Sequence, residues 1–312
     1  MDKRSNIFVI AIAITLHILL IEAGSVMAQQ VSVSYTGSAQ YSTGSYFFEE
    51  QTQSFSISNG FNISGDKVTI SFNVPFVVQN SPWVSYGIAG YIPTGGPDHK
   101  AVQDSSNQRK GHGTGGKGGK SKLLPFKNTV NGYMQLQDGD EVVVTDTVSY
   151  NKASFADPNL YANIKLYTSD TGAGTIRLNT ALKIPLADPT NGYGTGEWDY
   201  GAGVSLSQRL GNFFFIADMM KWWFGDLPDL KLQDPWAYSA GLGLSFAEAK
   251  WLINASYSGY TEIIDGFDPP QTLTLGMGHF LSNKASLNGN VSFGLTESSS
   301  DLSVGLGWSI QL

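Results

Sequence analysis

The sequence predicts an all-β protein, a transmembrane antiparallel up-and-down β-barrel of 12 to 14 strands. Three observations carry this reading. Only 14% of the 312 residues are charged, while 12% are aromatic and 36 are glycine. Soluble domains carry roughly 25% charged residues and about 7% glycine, so this chain lacks the coat that a wet surface needs. Long stretches alternate with a period of two, one phase apolar and the other glycine, serine or asparagine, which gives each strand one face for lipid and one for a hydrated interior. The connections between strands take turns between long and short, as the two sides of a bacterial barrel require.

The elements follow in order. Met1 to Arg4 is a basic start, Ile7 to Ile21 is almost wholly apolar, and Val26-Met27-Ala28 supplies small residues for cleavage, so residues 1–28 read as a secretory signal. Residues 29–312 are then the barrel. Val31 to Tyr41 is a strand or a periplasmic lead-in. Ser54 to Ser64 and Lys67 to Val78 read as a hairpin around Gly65-Asp66, with a further strand at Trp83 to Ile92. Thr94 to Lys122 breaks the pattern: it holds eight glycines and six Lys or Arg against two Asp, a local charge of +4, and is expected to be a flexible Gly/Lys-rich outside loop. Its Gly-rich end superficially matches a phosphate-binding loop, but Thr114 stands where that motif needs glycine. Val130 to Gln137 and Glu141 to Tyr150 are expected to pair across Asp138-Gly139-Asp140.

Nine strands are expected between Leu160 and Leu312. In the last, Leu302, Val304, Leu306, Trp308 and Ile310 oppose Ser303, Gly305, Gly307 and Ser309, and the stretches beginning at Trp198, Trp236 and Leu287 alternate in the same way. A soluble sandwich also alternates, but it sends lysine, glutamate and threonine to water. The polar phase here is glycine, serine and asparagine, and the apolar phase often begins in tryptophan or tyrosine, as an interfacial girdle does.

Several functions are excluded or disfavoured. A net charge of −7 provides no basic footprint, so no nucleic acid partner is expected. Zero cysteine excludes disulfides, thiolate zinc sites and cysteine nucleophiles. Behind the signal only His99, His112 and His279 remain; the first two sit in the Gly-rich loop, and His279 shares the lipid-facing phase of Leu273, Leu275 and Met277. No enzyme activity, cofactor or metal site is therefore expected, a lipid-modifying barrel enzyme being the remote alternative.

Charged residues in the inward phase are the candidate functional residues. Lys165 alternates with Asn163, and Arg177 with Asn179 and Lys183, while Asp199 and Asp218 fall in the inward phase of the next two strands. Folding the strands about their links sets Lys165 level with Arg177 as a basic patch low in the lumen, and Lys183 level with Asp199 near the outer mouth. Two readings stay open: a path for solutes, or a salt-bridge network that fills a narrow barrel.

At these residues the chain resembles a known family. Lys183-Ile184-Pro185 and then Gly192-Tyr193-Gly194-Thr195-Gly196-Glu197-Trp198-Asp199-Tyr200 resemble the Lys-x-Pro, Gly-x-Gly-Thr-Gly-x-x-Asp-Tyr stretch of the outer-membrane transporter family named for the meta pathway of phenol degradation. Ser207-Gln208-Arg209-Leu210-Gly211 and Phe293-Gly294-Leu295-Thr296 are similar to further segments of it, and the likeness spans Phe155 to Leu312. That family usually follows Lys-x-Pro with Thr-Gly, whereas Leu186-Ala187 stands here. The resemblance implies a barrel transporter, often encoded with aromatic-compound catabolism.

A passive channel or transporter in the bacterial outer membrane is thus expected, for small molecules including hydrophobic or aromatic ones. The alternative is a closed structural barrel that displays its loops for surface binding. Outer-membrane lipid, lipopolysaccharide, small solutes and, during insertion, the barrel-assembly machinery are the expected partners.

Overall fold

The structure is a computed structural model that describes residues 31–48, 51–88, 90–96, 99–111, 129–130, 133–134, 151–189, 192–227 and 229–312. Residues 1–28, read as a secretory signal, lie outside the described residues. Strands β1 (Ser32–Gly44), β2 (Thr52–Ser64) and β3 (Val68–Gln79) begin the wall. A short hairpin, β4 (Ser85–Gly87) and β5 (Gly90–Ile92), helix α1 (His99–Gly111) and the small strands β6 (Thr129–Val130) and β7 (Tyr133–Met134) precede β8 (Lys152–Phe155). The wall resumes with β9 (Asn159–Thr168), β10 (Gly174–Lys183), β11 (Asp199–Leu210), β12 (Phe213–Trp223) and β13 (Trp236–Phe246). It is completed by β14 (Trp251–Tyr260), β15 (Gln271–Ser282), β16 (Ala285–Gly294) and β17 (Leu302–Gln311).

Every wall strand pairs antiparallel with its neighbour, and β1 pairs with β17, so the sheet closes as a twelve-stranded barrel with β8 as an added piece. β8 and β9 both pair with β3 and read as one strand interrupted at Ala156-Asp157-Pro158. Three residues there oppose Val74 and Pro75, a bulge that leaves Ala156 N–H bonded to Pro75 O at 2.8 Å and turns Asp157 inward. Closure removes the open edges that hydrocarbon cannot satisfy.

The two faces have the chemistry the alternation requires. Leu242, Leu275, Met277 and Leu306 are more than half exposed and point outward, where lipid meets them. Trp308 lies across Gly37 of β1, and a Cβ on Gly37 would sit 2.3 Å from the indole ring. Aromatic stacks mark both rims: Tyr200 on Trp223 at 5.4 Å near the long connections, and Phe246 on Trp251 at 6.5 Å near the short ones. Trp251 also carries His279 at 3.9 Å, which places that imidazole on the outward face. Inward residues pair through hydroxyls instead, Ser258 with Thr272 and Thr274 with Ser292 at 2.8 Å, and Ser303 with Ser42 at 2.9 Å.

The short turns, at 65–67, 169–173, 211–212, 247–250 and 283–284, share one end of the barrel and the long connections the other. Short turns belong on the periplasmic side and long loops outside. Single cysteines at Glu262 and Asp268, both exposed in a long loop, are therefore expected to react with an impermeant thiol reagent on intact cells, and cysteines at Asp170 and Asn283 only after the outer membrane is opened. Labelling of Asn283→Cys on intact cells would refute this orientation.

Two expectations change, and the strand number stays within its expected range. The wall has twelve strands, the low end of the range, because Trp83 to Ile92 forms the β4–β5 hairpin and not a wall strand. Most of the hairpin expected from Val130 to Gln137 and Glu141 to Tyr150 lies outside the described residues, which here hold β6 paired with β7. Within Thr94 to Lys122, Thr94 and Val102 are fully buried and residues 99–111 are helical where a loop was expected; residues 112–122 lie outside the described residues. Of Val31 to Tyr41, the residues from Ser32 onward are wall strand, paired with both β2 and β17.

Candidate functional site: the lumen and its outer mouth

The outer end is closed by an apolar cluster. Phe47 and Phe48 from the β1–β2 loop, Trp83, Tyr91 and Val102 from the long insertion, Leu227, Leu230 and Leu232 from the β12–β13 loop, and Ile263, Ile264 and Phe267 from the β14–β15 loop bury one another. Phe47 and Phe267 meet with ring centroids 4.3 Å apart. The cluster rests on inward residues at the top of the wall, among them Tyr161, Ala181, Met220, Trp222 and Tyr260, and so roofs the lumen. Helix α1 is tied in through Gln103, whose Oε1 accepts Lys231 N–H at 2.9 Å.

Beside this roof lies a buried ionic cluster. Lys183 is 0% exposed, and its Nζ is 2.7 Å from Asp199 Oδ2 and 3.5 Å from Asp157 Oδ2. It also donates to Thr195 Oγ1. Asp199 Oδ1 accepts Gly225 N–H at 3.0 Å, and Asp157 Oδ1 accepts the N–H groups of Leu186 and Ala187 at 2.9 and 2.8 Å. The ammonium is thereby shared between two carboxylates, both of which have further donors. Buried charges persist when they are paired and hydrogen-bonded in this way; Asp157 Oδ2 has the 3.5 Å contact with Lys183 and, among the described residues, no hydrogen bond.

The Gly-x-Gly-Thr-Gly stretch folds around this cluster for steric reasons. A Cβ on Gly194 would lie 2.3 Å from Asp157 Oδ2; Gly192 has φ of +74°, and its Cβ would lie 2.5 Å from Gln79 Nε2. Thr195 is thus delivered to Lys183 only if positions 192 and 194 carry no side chain. The Leu186-Ala187 difference from the family pattern has a plain account, since backbone amides and not side chains bind Asp157. Asp157 was missed by sequence reasoning because it sits in a bulge, out of strand phase. Its neighbour Pro158 was the available signal, since proline interrupts a wall strand.

Lower in the barrel the inward residues form a row of register partners. Lys165, Arg177, Ser205, Asp218, Ser239, Ser258 and Thr272 follow one another across β9 to β15. Because barrel strands tilt, the row climbs from the periplasmic end of β9 to the outer end of β15. Lys165 is exposed and Arg177 half-buried, with Nη1 3.4 Å from Ser207 Oγ. Asn163 and Asn179 are partners one step higher, Asn179 Oδ1 lying 3.5 Å from Ser205 Oγ. Asp218 Oδ2 accepts the Ser239 hydroxyl. Lys165, Arg177, Asn163, Asn179 and Asp218 therefore face the lumen, whereas Lys183 and Asp199 are sealed beneath the roof and present no surface to solutes.

A cavity of about 300 Å³ opens below the roof, lined by Asp218, Tyr91, Tyr260, Gln40 and a ring of serine and threonine hydroxyls. Among the described residues no group of three or more His, Asp or Glu is placed to hold a metal ion.

No family model and no curated protein matches the sequence. Among solved structures the chain is similar to an outer-membrane channel from Pseudomonas putida F1, 11% identical with a TM-score of 0.57 over 90% of this chain and 95% of that one. It is also similar to the NanC porin, 10% identical with a TM-score of 0.48 over 89% of this chain and 100% of the porin. At 11% identity the first likeness establishes the fold, that of an outer-membrane β-barrel.

Proposed function

We propose that the protein is a passive outer-membrane channel for small solutes, with the tilted row of inward residues as its path. The observation that carries this is the Lys165–Arg177 pair. The two cations are register partners on the lumen wall, and among the described residues no carboxylate lies within ion-pairing distance of either. Like charges directly opposite destabilise a sheet. A barrel interior that served only as filling would neutralise them, as it does Lys183.

Reconstituted protein is expected to conduct in planar bilayers with a preference for anions, and replacing Lys165 and Arg177 together by glutamine should lower the anion-to-cation permeability ratio severalfold. An unchanged reversal potential in asymmetric salt would exclude the pair from the path.

Membership of the phenol meta-pathway transporter family belongs to this proposal, supported by the motif around Lys183 and Asp199 and by the barrel fold. A hydrophobic or aromatic solute is supported by the roof, which offers aromatic faces at the outer mouth. The second reading, a closed barrel that displays its loops, is favoured by the same roof. Bilayer conductance separates the two.

A further inference from the structure

We infer that the cavity beneath the roof is a binding subsite for the ammonium group of a small organic amine, with Asp218 as its counter-ion. The inference refines the channel reading by naming a solute class. Asp218 is the only charged residue lining the cavity among the described residues. Its carboxylate accepts one hydroxyl, that of Ser239, and no lysine or arginine among the described residues pairs with it. A half-buried carboxylate whose neighbours in the cavity lining are neutral among the described residues attracts a cation more strongly than one on an open surface.

The rest of the lining fits the same ligand. Tyr91 from the roof hairpin and Tyr260 from β14 bring aromatic rings to the cavity, and ring faces attract cations. An ammonium carries three donors and no acceptor; the serine and threonine oxygens around Asp218 are acceptors for those the carboxylate leaves unpaired. An anionic solute meets the opposite: one like charge and no cationic partner. A hard metal cation is disfavoured because it takes six or more oxygen ligands and usually several carboxylates, whereas the cavity supplies one. Lys165 and Arg177 lie lower on the same row, three and two strands away, so the lumen holds a cation-binding stage near the outer mouth and an anion-attracting stage below it.

Benzylammonium, benzyl alcohol and benzoate share a ring and differ in the group it carries, and titration calorimetry of the full barrel in detergent measures their binding without needing conduction. Benzylammonium is expected to bind at least tenfold more tightly than the other two. Asp218→Asn should abolish that preference and Asp218→Glu should retain part of it, with heat-modifiable gel mobility confirming that each variant folds. Equal binding of the three probes to the unmodified protein would overturn the inference even if Asp218→Asn fails to fold, and so would a folded Asp218→Asn that keeps the preference. A protein that selects benzylammonium yet passes no current would remove the channel reading and leave the subsite standing; one that conducts but does not discriminate would do the reverse.

Discussion

Replacing Lys183 by methionine is expected to destabilise the barrel by about 3–5 kcal/mol, the cost of leaving a buried charge without its partner. Two carboxylates, Asp157 and Asp199, would remain in a site where Lys183 is 0% exposed. The effect should appear as a lower urea midpoint for loss of the compact gel form in lipid vesicles. It should be accompanied by proteolytic cleavage within residues 184–198, since the Lys183–Thr195 bond holds that segment down. Adding Asp199→Asn to Lys183→Met should recover part of the loss by removing one of the two orphaned charges. A midpoint that does not move on Lys183→Met would mean that the cluster is ornamental.

Truncating Trp83 to alanine is expected to act on permeation more than on the wall. Trp83 is 2% exposed within the roof, and a buried tryptophan cut to alanine typically costs about 3–5 kcal/mol. That loss falls on packing between loops, while the ladder hydrogen bonds of the twelve strands are untouched. The variant should therefore keep its heat-modifiable mobility and show a single-channel conductance several times higher. Equal conductance would mean that the roof does not obstruct the path.

The nine strands from β9 to β17 are legible in the sequence because the barrel wall imposes a period of two and leaves glycine, serine and asparagine, not charged residues, in the inward phase. Leu302 to Ile310 must be apolar at alternate positions, and Ser303 to Ser309 must be small or polar. The register that sets Lys165 beside Arg177 and Lys183 beside Asp199 follows from those strands and their links. The roof is not legible in that way, because its residues sit in connections where water was the expected neighbour. A signal was nonetheless present: Phe47-Phe48 and Ile263-Ile264 are adjacent apolar pairs inside links, and such pairs need cover. The insertion between β3 and β8 hides its structure for another reason. Its glycine and lysine content masks short elements whose burial depends on the other loops, as Val102 of α1 shows by packing against them.

The roof also joins parts of the chain that lie far apart in sequence. Its aromatic residues come from loops spread from Tyr46 to Phe267, and Tyr46 is further tied to Ser300 by a hydroxyl contact at 2.9 Å across a sequence separation of 254 residues. None of these loops can bury its rings alone, and β1 meets β17 only when the last strand has arrived. Closure of the wall brings all the pieces to one place at once. The outer mouth is thus held by contacts between segments distant in sequence, and these tie the loops to the wall closure that β1 and β17 complete.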